Sequence, residues 1–355
     1  MKKRIKSVRH ILEQHGLDGF MVTKQENWQY LSGFTGSSAI LLFTVTGNYL
    51  FTDFRYIDQA VAEAHGFQII RPFALMEDAL VDRVNKLGLK RIGFEDDNLT
   101  YHQYSVYKKK LAGAGLVPVH RAVERVRRIK DREETAALRL AAAITDDAFT
   151  HILDYIKPGV RESEIALEID YYMRKKGAEK AAFDIIVASG PRAAMPHGVA
   201  SEKKIAPGEL IILDFGAVVK GYHSDMTRTV ILGKSDHRQR EVYDLVLKAQ
   251  KQAIKAIRPG AKCSDVDLVA RDLISINGYG ANFGHGLGHS VGLEIHESPS
   301  LSPKDETVLE EGMALTVEPG IYLSNWGGVR IEDLVMVTPG GQDILSRSPK
   351  ELIEL

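Results

Sequence analysis

Cysteine is nearly missing from this 355-residue sequence, with Cys263 standing alone. That excludes an intrachain disulfide and any cysteine-based zinc cluster, and it fits a reducing, cytoplasmic setting. No apolar run approaches the ~20 residues of a membrane-spanning helix, so no membrane partner is expected. An excess of either charge is missing too: Lys+Arg 46 against Asp+Glu 47 leaves a net charge of -1, and no global field draws in nucleic acid or acidic lipid. The basic start MKKRIKSVRHILEQHG lacks the h-region and cleavage site of a secretory leader. Its Ile5, Val8, Ile11 and Leu12 recur at helical spacing, which predicts an amphipathic helix.

The length suits two domains. GFMVT and AILLFTVTGNYLFTD read as strands, the second run folding into a hairpin at Gly47-Asn48. Phe67 to Ile70 and Arg91 to Phe94 are further strands, separated by a helix over Asp78 to Leu87 that Gly88 ends. These predict a mixed α/β domain over residues 1–128, in which Asp53, Arg55 and Tyr56 serve a turn or an ion pair. The charged run ERVRRIKDREE, Glu124 to Glu134, reads as a solvated face at the boundary. An alanine-rich helix begins near Glu133, and residues 129–355 form the second domain.

That domain contains a repeat. Lys157-Pro-Gly-Val-Arg-Glu-Ser163 is matched at an offset of 101 by Arg258-Pro-Gly-Ala-Lys-Cys-Ser264, and Gly177 by Gly278. Each copy predicts a helix capped by its serine and stopped by the later glycine. Gly208-Glu-Leu-Ile-Ile-Leu-Asp214-Phe-Gly216 then matches Gly312-Met-Ala-Leu-Thr-Val-Glu318-Pro-Gly320, so a pseudo-twofold axis would relate Asp214 to Glu318.

Each of these acids is followed by another at hairpin spacing. A turn near Val219 to Gly221 would oppose Asp214 and Asp225, or bring them within one residue of it. One at Ser324 to Gly328 would oppose Glu318 and Glu332. Between the two pairs lies NFGHGLGHSVGLEIHE, Asn282 to Glu297. Its glycines disfavour a helix, and a strand would put His285 and His289 on one face, with His296 needing a bend. Four converging carboxylates are tolerable only with cations, because burial and repulsion raise their pKa values. Oxygen and nitrogen donors without sulfur suit Mn, Co, Fe or Zn in a two-metal site.

LDFGA at 213–217, HSDMTRT at 223–229, GHGLGHSVGLEIHE, TVEPGIY at 316–322 and GGVRIED at 327–333 resemble the signature of the M24 metallopeptidases, most closely the Xaa-Pro peptidase branch of aminopeptidase P and prolidase. The resemblance implies an α+β chain, with a pita-bread catalytic domain behind a smaller creatinase-type α/β domain. It implies two divalent ions, Mn²⁺ first and Co²⁺, Zn²⁺ or Fe²⁺ as alternatives, on Asp214, Asp225, His289, Glu318 and Glu332, with Asp225 and Glu332 bridging. It further implies that His197 and His296 flank the scissile bond, that Arg330 holds the bridging acid or binds substrate, and that the chain forms a homodimer. Glu318 is the candidate proton acceptor, while His285 and His223 have supporting roles.

The expected substrates are peptides or dipeptides with proline second. The reading leans to aminopeptidase P, with prolidase the alternative. Methionine aminopeptidase is disfavoured by the N-terminal domain and creatinase by the complete ligand set. A non-catalytic peptide-binding module with this fold is the reading of a different class.

Overall fold

In the computed structural model, which describes residues 2–355, one unit ends at Arg127 and a second begins at Arg128. The first is built on a six-stranded sheet in the order Gln68–Ile70, Asn48–Phe51, Ile40–Thr44, Gly19–Val22, Arg91–Glu95, Gly115–Val119. The expected hairpin forms with Phe43 opposite Asn48, but the reversal is made by residues 45–47 and Asn48 is already in the strand. Helices Lys2–His15 and Met76–Lys86 follow the apolar periodicity. Gly88, at φ +64°, ends the second because left-handed backbone costs glycine least. Met21, Leu42, Phe51, Leu80, Val84 and Ile92 fill the core. Asp53 accepts from Arg55 N at 3.0 Å and pairs with its guanidinium at 2.8 Å.

The charged run is not a solvated face throughout. Arg127, Lys130 and Glu134 are buried, which charge tolerates only when paired. Arg127 Nη1 donates to Asn27 at 2.7 Å, Lys130 Nζ lies 3.0 Å from Glu297, and Tyr222 Oη donates to Glu134 at 2.9 Å. Asp131 caps the helix Arg132–Leu153 in a capping box with Glu134.

The second unit repeats one plan. Helices Arg132–Leu153 and Glu162–Lys175 precede a sheet containing Ile186–Ser189, Leu210–Phe215 and Met226–Ile231. Helices His237–Ala256 and Cys263–Ile276 precede one containing Gly288–Ser290, Ala314–Val317 and Asp333–Thr338 in the same order. Neither serine is a cap: Arg161 and Lys262 hold the N-cap positions. The free N–H groups at each helix start are met by backbone instead. Glu162 N donates to Lys203 O at 3.0 Å and Ser163 N to Ser201 O at 2.9 Å, while Cys263 N donates to Thr307 O at 3.0 Å and Ser264 N to Asp305 O at 2.9 Å. Backbone acceptors remove the need for a side-chain cap. Ser163 and Ser264 turn their hydroxyls to Glu202 and Glu306.

Each half keeps its own core, one centred on Ile165, Ile169 and Leu213 and the other on Val266, Ala270 and Leu315. Burial of such side chains stabilises each by about 1.5–3 kcal/mol, so both sheets are rigid supports for what their strand ends carry.

Candidate metal centre

The middle strand of each triple ends at an acid. Asp214 lies at the end of Leu210–Phe215, and Glu318 directly follows Ala314–Val317. In the second half, Val317 pairs with Asp333 and Gly320 with Arg330, a register that opposes Glu318 and Glu332 as expected. The first half differs. Asp214 pairs with Thr227, two residues beyond Asp225, because a tight reversal at Lys220 and Gly221 pairs Val219 with Tyr222. An offset of two keeps both aspartates on one side of the strand. Gly216 is what lets the strands close there: a Cβ on it would lie 1.8 Å from Ser224 O.

The halves are joined at this level. Glu332 N donates to Thr227 O at 3.0 Å, and Arg330 N to Thr229 Oγ1 at 3.1 Å. Behind them Arg228, almost fully buried, donates to the carbonyls of Thr227 and Glu332 and pairs with Asp333 at 2.7 Å.

A cavity of about 580 Å³ is lined by Asp214, Asp225, His289, Glu318, Glu332, His197, His296 and Arg330. All of the site residues expected from the sequence therefore meet at one opening. His285 and His289 do not share a strand, however. The strand is only Gly288–Ser290, and His285 lies in the preceding loop, where Arg271 Nη2 donates to its carbonyl at 2.7 Å and Asp267 accepts from Leu287 N at 3.0 Å. Both histidines still line the cavity. His296 sits in the bend that follows, its ring centroid 4.4 Å from that of His289. His197 is exposed on a loop at the rim.

His289 Nδ1 lies 3.1 Å from Ser290 O, an acceptor that holds the ring proton and leaves the Nε2 lone pair free. Nε2 faces Asp225 at 3.6 Å and Glu318 at 3.4 Å. Those separations suit donors converging on a shared cation at about 2 Å from each. Asp225, His289 and Glu332 offer ligand atoms within 4.8 Å of one another. Asp214 Oδ1 and Glu332 Oε1 are buried without a hydrogen-bond partner, a costly condition unless a cation meets them.

Electrostatics agree. Burial, and after it the charge of Glu332, pushes Asp225 well above the carboxylate range; burial and then Glu318 do the same to Glu332. Burial lifts Glu318 to about 7 and, with His296, lowers His289 to about 4. The donor set thus fits divalent ions.

The sequence reading missed Tyr322, Thr227 and Thr316. Tyr322 Oη accepts from Arg330 Nη1 at 2.9 Å and lies 3.0 Å from His285 Nε2. Thr227 Oγ1 donates to Glu332 at 2.7 Å, and Thr316 Oγ1 to Glu318 at 3.2 Å. Hairpin register offered a signal for Tyr322. Gly320 opposes Arg330, so Tyr322, two residues on, projects from the same face.

Comparison with known proteins follows the same lines. Metallopeptidase family M24 matches residues 136–339, and the Creatinase/Prolidase N-terminal domain matches residues 4–129. The chain is 36% identical over 353 residues to an Xaa-Pro dipeptidase of Pyrococcus horikoshii, covering 99% of each. Among solved structures it is similar to an Xaa-Pro dipeptidase from Bacillus anthracis, at 45% identity and TM-score 0.98 over 100% of this chain and 99% of that one. It is also similar to an X-Pro aminopeptidase from Thermotoga maritima MSB8, at 37% identity and TM-score 0.91 over 96% and 98%. With the family match spanning both halves of the second unit and relatives alignable nearly end to end, the chain belongs to metallopeptidase family M24.

Proposed function

We propose that the protein is an Xaa-Pro dipeptidase dependent on two divalent metal ions. One observation carries this reading: Asp225 and Glu318, one from each half, converge on the Nε2 face of His289, and beside them Asp214 and Glu332 each bury an oxygen that lacks a protein hydrogen-bond partner. Asp214, Asp225, His289, Glu318 and Glu332 would hold the ions, Mn²⁺ first and Co²⁺, Zn²⁺ or Fe²⁺ as alternatives. Such ions supply Lewis acidity and lower the pKa of a water.

The chain's own groups do the rest. Glu318 takes a proton from the attacking water and passes it to the departing proline nitrogen. His296 and His197 hydrogen-bond the scissile carbonyl oxygen as charge develops on it, worth typically a few kcal/mol per donor. Arg330 holds Asp214 with Nη2 and the carbonyl of Pro196, beside His197, with Nη1 at 3.1 Å, fixing an acid and a histidine relative to each other. Because proline's nitrogen has no N–H once acylated, recognition rests on ring shape and on the substrate's termini.

The motifs do not separate the two activities, and the sequence reading leans to aminopeptidase P; relatives named Xaa-Pro dipeptidase support the dipeptidase better. The similarity to the Thermotoga X-Pro aminopeptidase keeps the aminopeptidase as second reading. A homodimer and a cytoplasmic location belong to the same proposal, one from the family resemblance and the other from the lone, buried Cys263.

The deciding assay compares Xaa-Pro with Xaa-Pro-Yaa under Mn²⁺. A kcat/KM at least about tenfold higher for the dipeptide, equivalent to 1.4 kcal/mol, is expected. The reverse preference would give the site to the aminopeptidase, and cleavage of neither under any of the four metals would favour the peptide-binding module.

A further inference from the structure

We propose that Glu162 is the positioning residue for His197, its buried carboxylate clamping the loop that carries that histidine. The inference rests on the reading above, in which His197 acts on the substrate.

The loop runs from Ser189 to Ser201, and its two ends meet on Glu162. Oε1 accepts from Ser189 N and Oγ, both at 2.8 Å. Oε2 accepts from Ser201 Oγ at 2.6 Å and Ser201 N at 3.2 Å. Arg192 is the strut inside the loop: Nη1 pairs with Glu162 Oε2, and Nη2 donates to Val199 O at 2.8 Å. Beyond this base, Met195, His197 and Val199 are exposed. The tip is held by its own turn, Gly198 N to Met195 O, and by Arg330 on Pro196 O.

The repeat shows that the helix does not require this carboxylate. At the offset of 101, Glu162 corresponds to Cys263, and both are fully buried at the first position of their helix. A thiol in that position is a small apolar group, whereas a buried carboxylate carries a large desolvation cost unless donors surround it. All of the donors that surround Glu162 belong to the loop bearing His197. Fixing such a base matters because a displacement of about 1 Å at a reacting group can cost about a hundredfold in rate.

Glu162→Gln keeps the length but must turn an amide N–H₂ toward either the donors of Ser189 or those of Ser201 and Arg192. Hydrogen exchange should accelerate at least about tenfold in residues 190–200 and stay unchanged in Leu210–Phe215, with bound metal unaltered. On Xaa-Pro substrate kcat should fall about tenfold with KM within about twofold, and the variant should add no further loss to His197→Ala. Unchanged loop exchange, or losses that multiply in the double variant, would overturn the proposal. If Glu162→Gln does not fold, Arg192→Met removes only the strut and should loosen the same loop; no loosening overturns the proposal equally. Should the wild type cleave no Xaa-Pro peptide, the functional reading fails while the exchange measurement still decides the clamp.

Discussion

Arg330 Nη2 donates to Asp214 Oδ2 at 2.5 Å, so a guanidinium from the second half-domain holds one oxygen of the first half's leading acid. The other oxygen, Oδ1, is left buried without a partner. One oxygen is thereby oriented by protein, and in the proposed reading its neighbour would meet a cation.

Replacing the guanidinium tests this division. Arg330 reaches Asp214, Thr227 Oγ1, Pro196 O and Tyr322 Oη at once, and a lysine has no planar fork to do so. Arg330→Lys should lower kcat about 10–100-fold while the metal content is retained. Steady-state kinetics with metal analysis reads both quantities, and unchanged kcat would remove Arg330 from the machinery.

His285 makes stability depend on pH. Burial lowers its pKa to about 4 from 6.5, so the unfolded chain binds the proton first as pH falls. Stability is therefore complete above about 6.5 and is lost as pH drops toward 4, by about 3 kcal/mol for this shift. His285→Gln keeps a hydrogen-bonding group for Tyr322 and should flatten the denaturation midpoint between those pH values by that amount. A profile as steep as the wild type's would contradict the assignment.

Gly216 offers a test of the hairpin geometry. A Cβ there would meet Ser224 O at 1.8 Å, and backbone cannot rotate aside as a side chain would. Gly216→Ala should destabilise by at least about 3 kcal/mol and displace Asp225, reducing metal binding in whatever folds. Thermal unfolding and metal titration would show it, and wild-type values in both would mean the close approach is wrongly placed.

Much of this site is legible in the sequence because duplication writes it twice. The Gly208 and Gly312 segments put Asp214 and Glu318 at matching strand ends, and hairpin spacing brings in Asp225 and Glu332. What the sequence hides is set by contacts distant along the chain. Ser163 looks like a cap, yet its N–H is taken by Ser201 O from a loop that no local pattern announces. Lys130 and Glu134 read as solvated charges until Glu297 and Tyr222 are brought to them. Asp225 falls two residues from its expected partner because a positive-φ reversal at Lys220 and Gly221 sets the count. In the first unit, helices Gln25–Ser32 and Tyr101–Lys110 are short segments placed by partners distant in the chain, the first by helices Lys2–His15 and Ala122–Arg127 and the second by helix Met76–Lys86.

The measurement that bears most directly on the account is a titration of metal-free protein with Mn²⁺, followed calorimetrically and by elemental analysis. Two ions per chain are expected for the wild type, and Asp225→Asn, which removes a charge from the centre of the acid cluster, should lose tight binding and turnover together. Wild-type stoichiometry and full activity in Asp225→Asn, or no binding by the wild type, would contradict it.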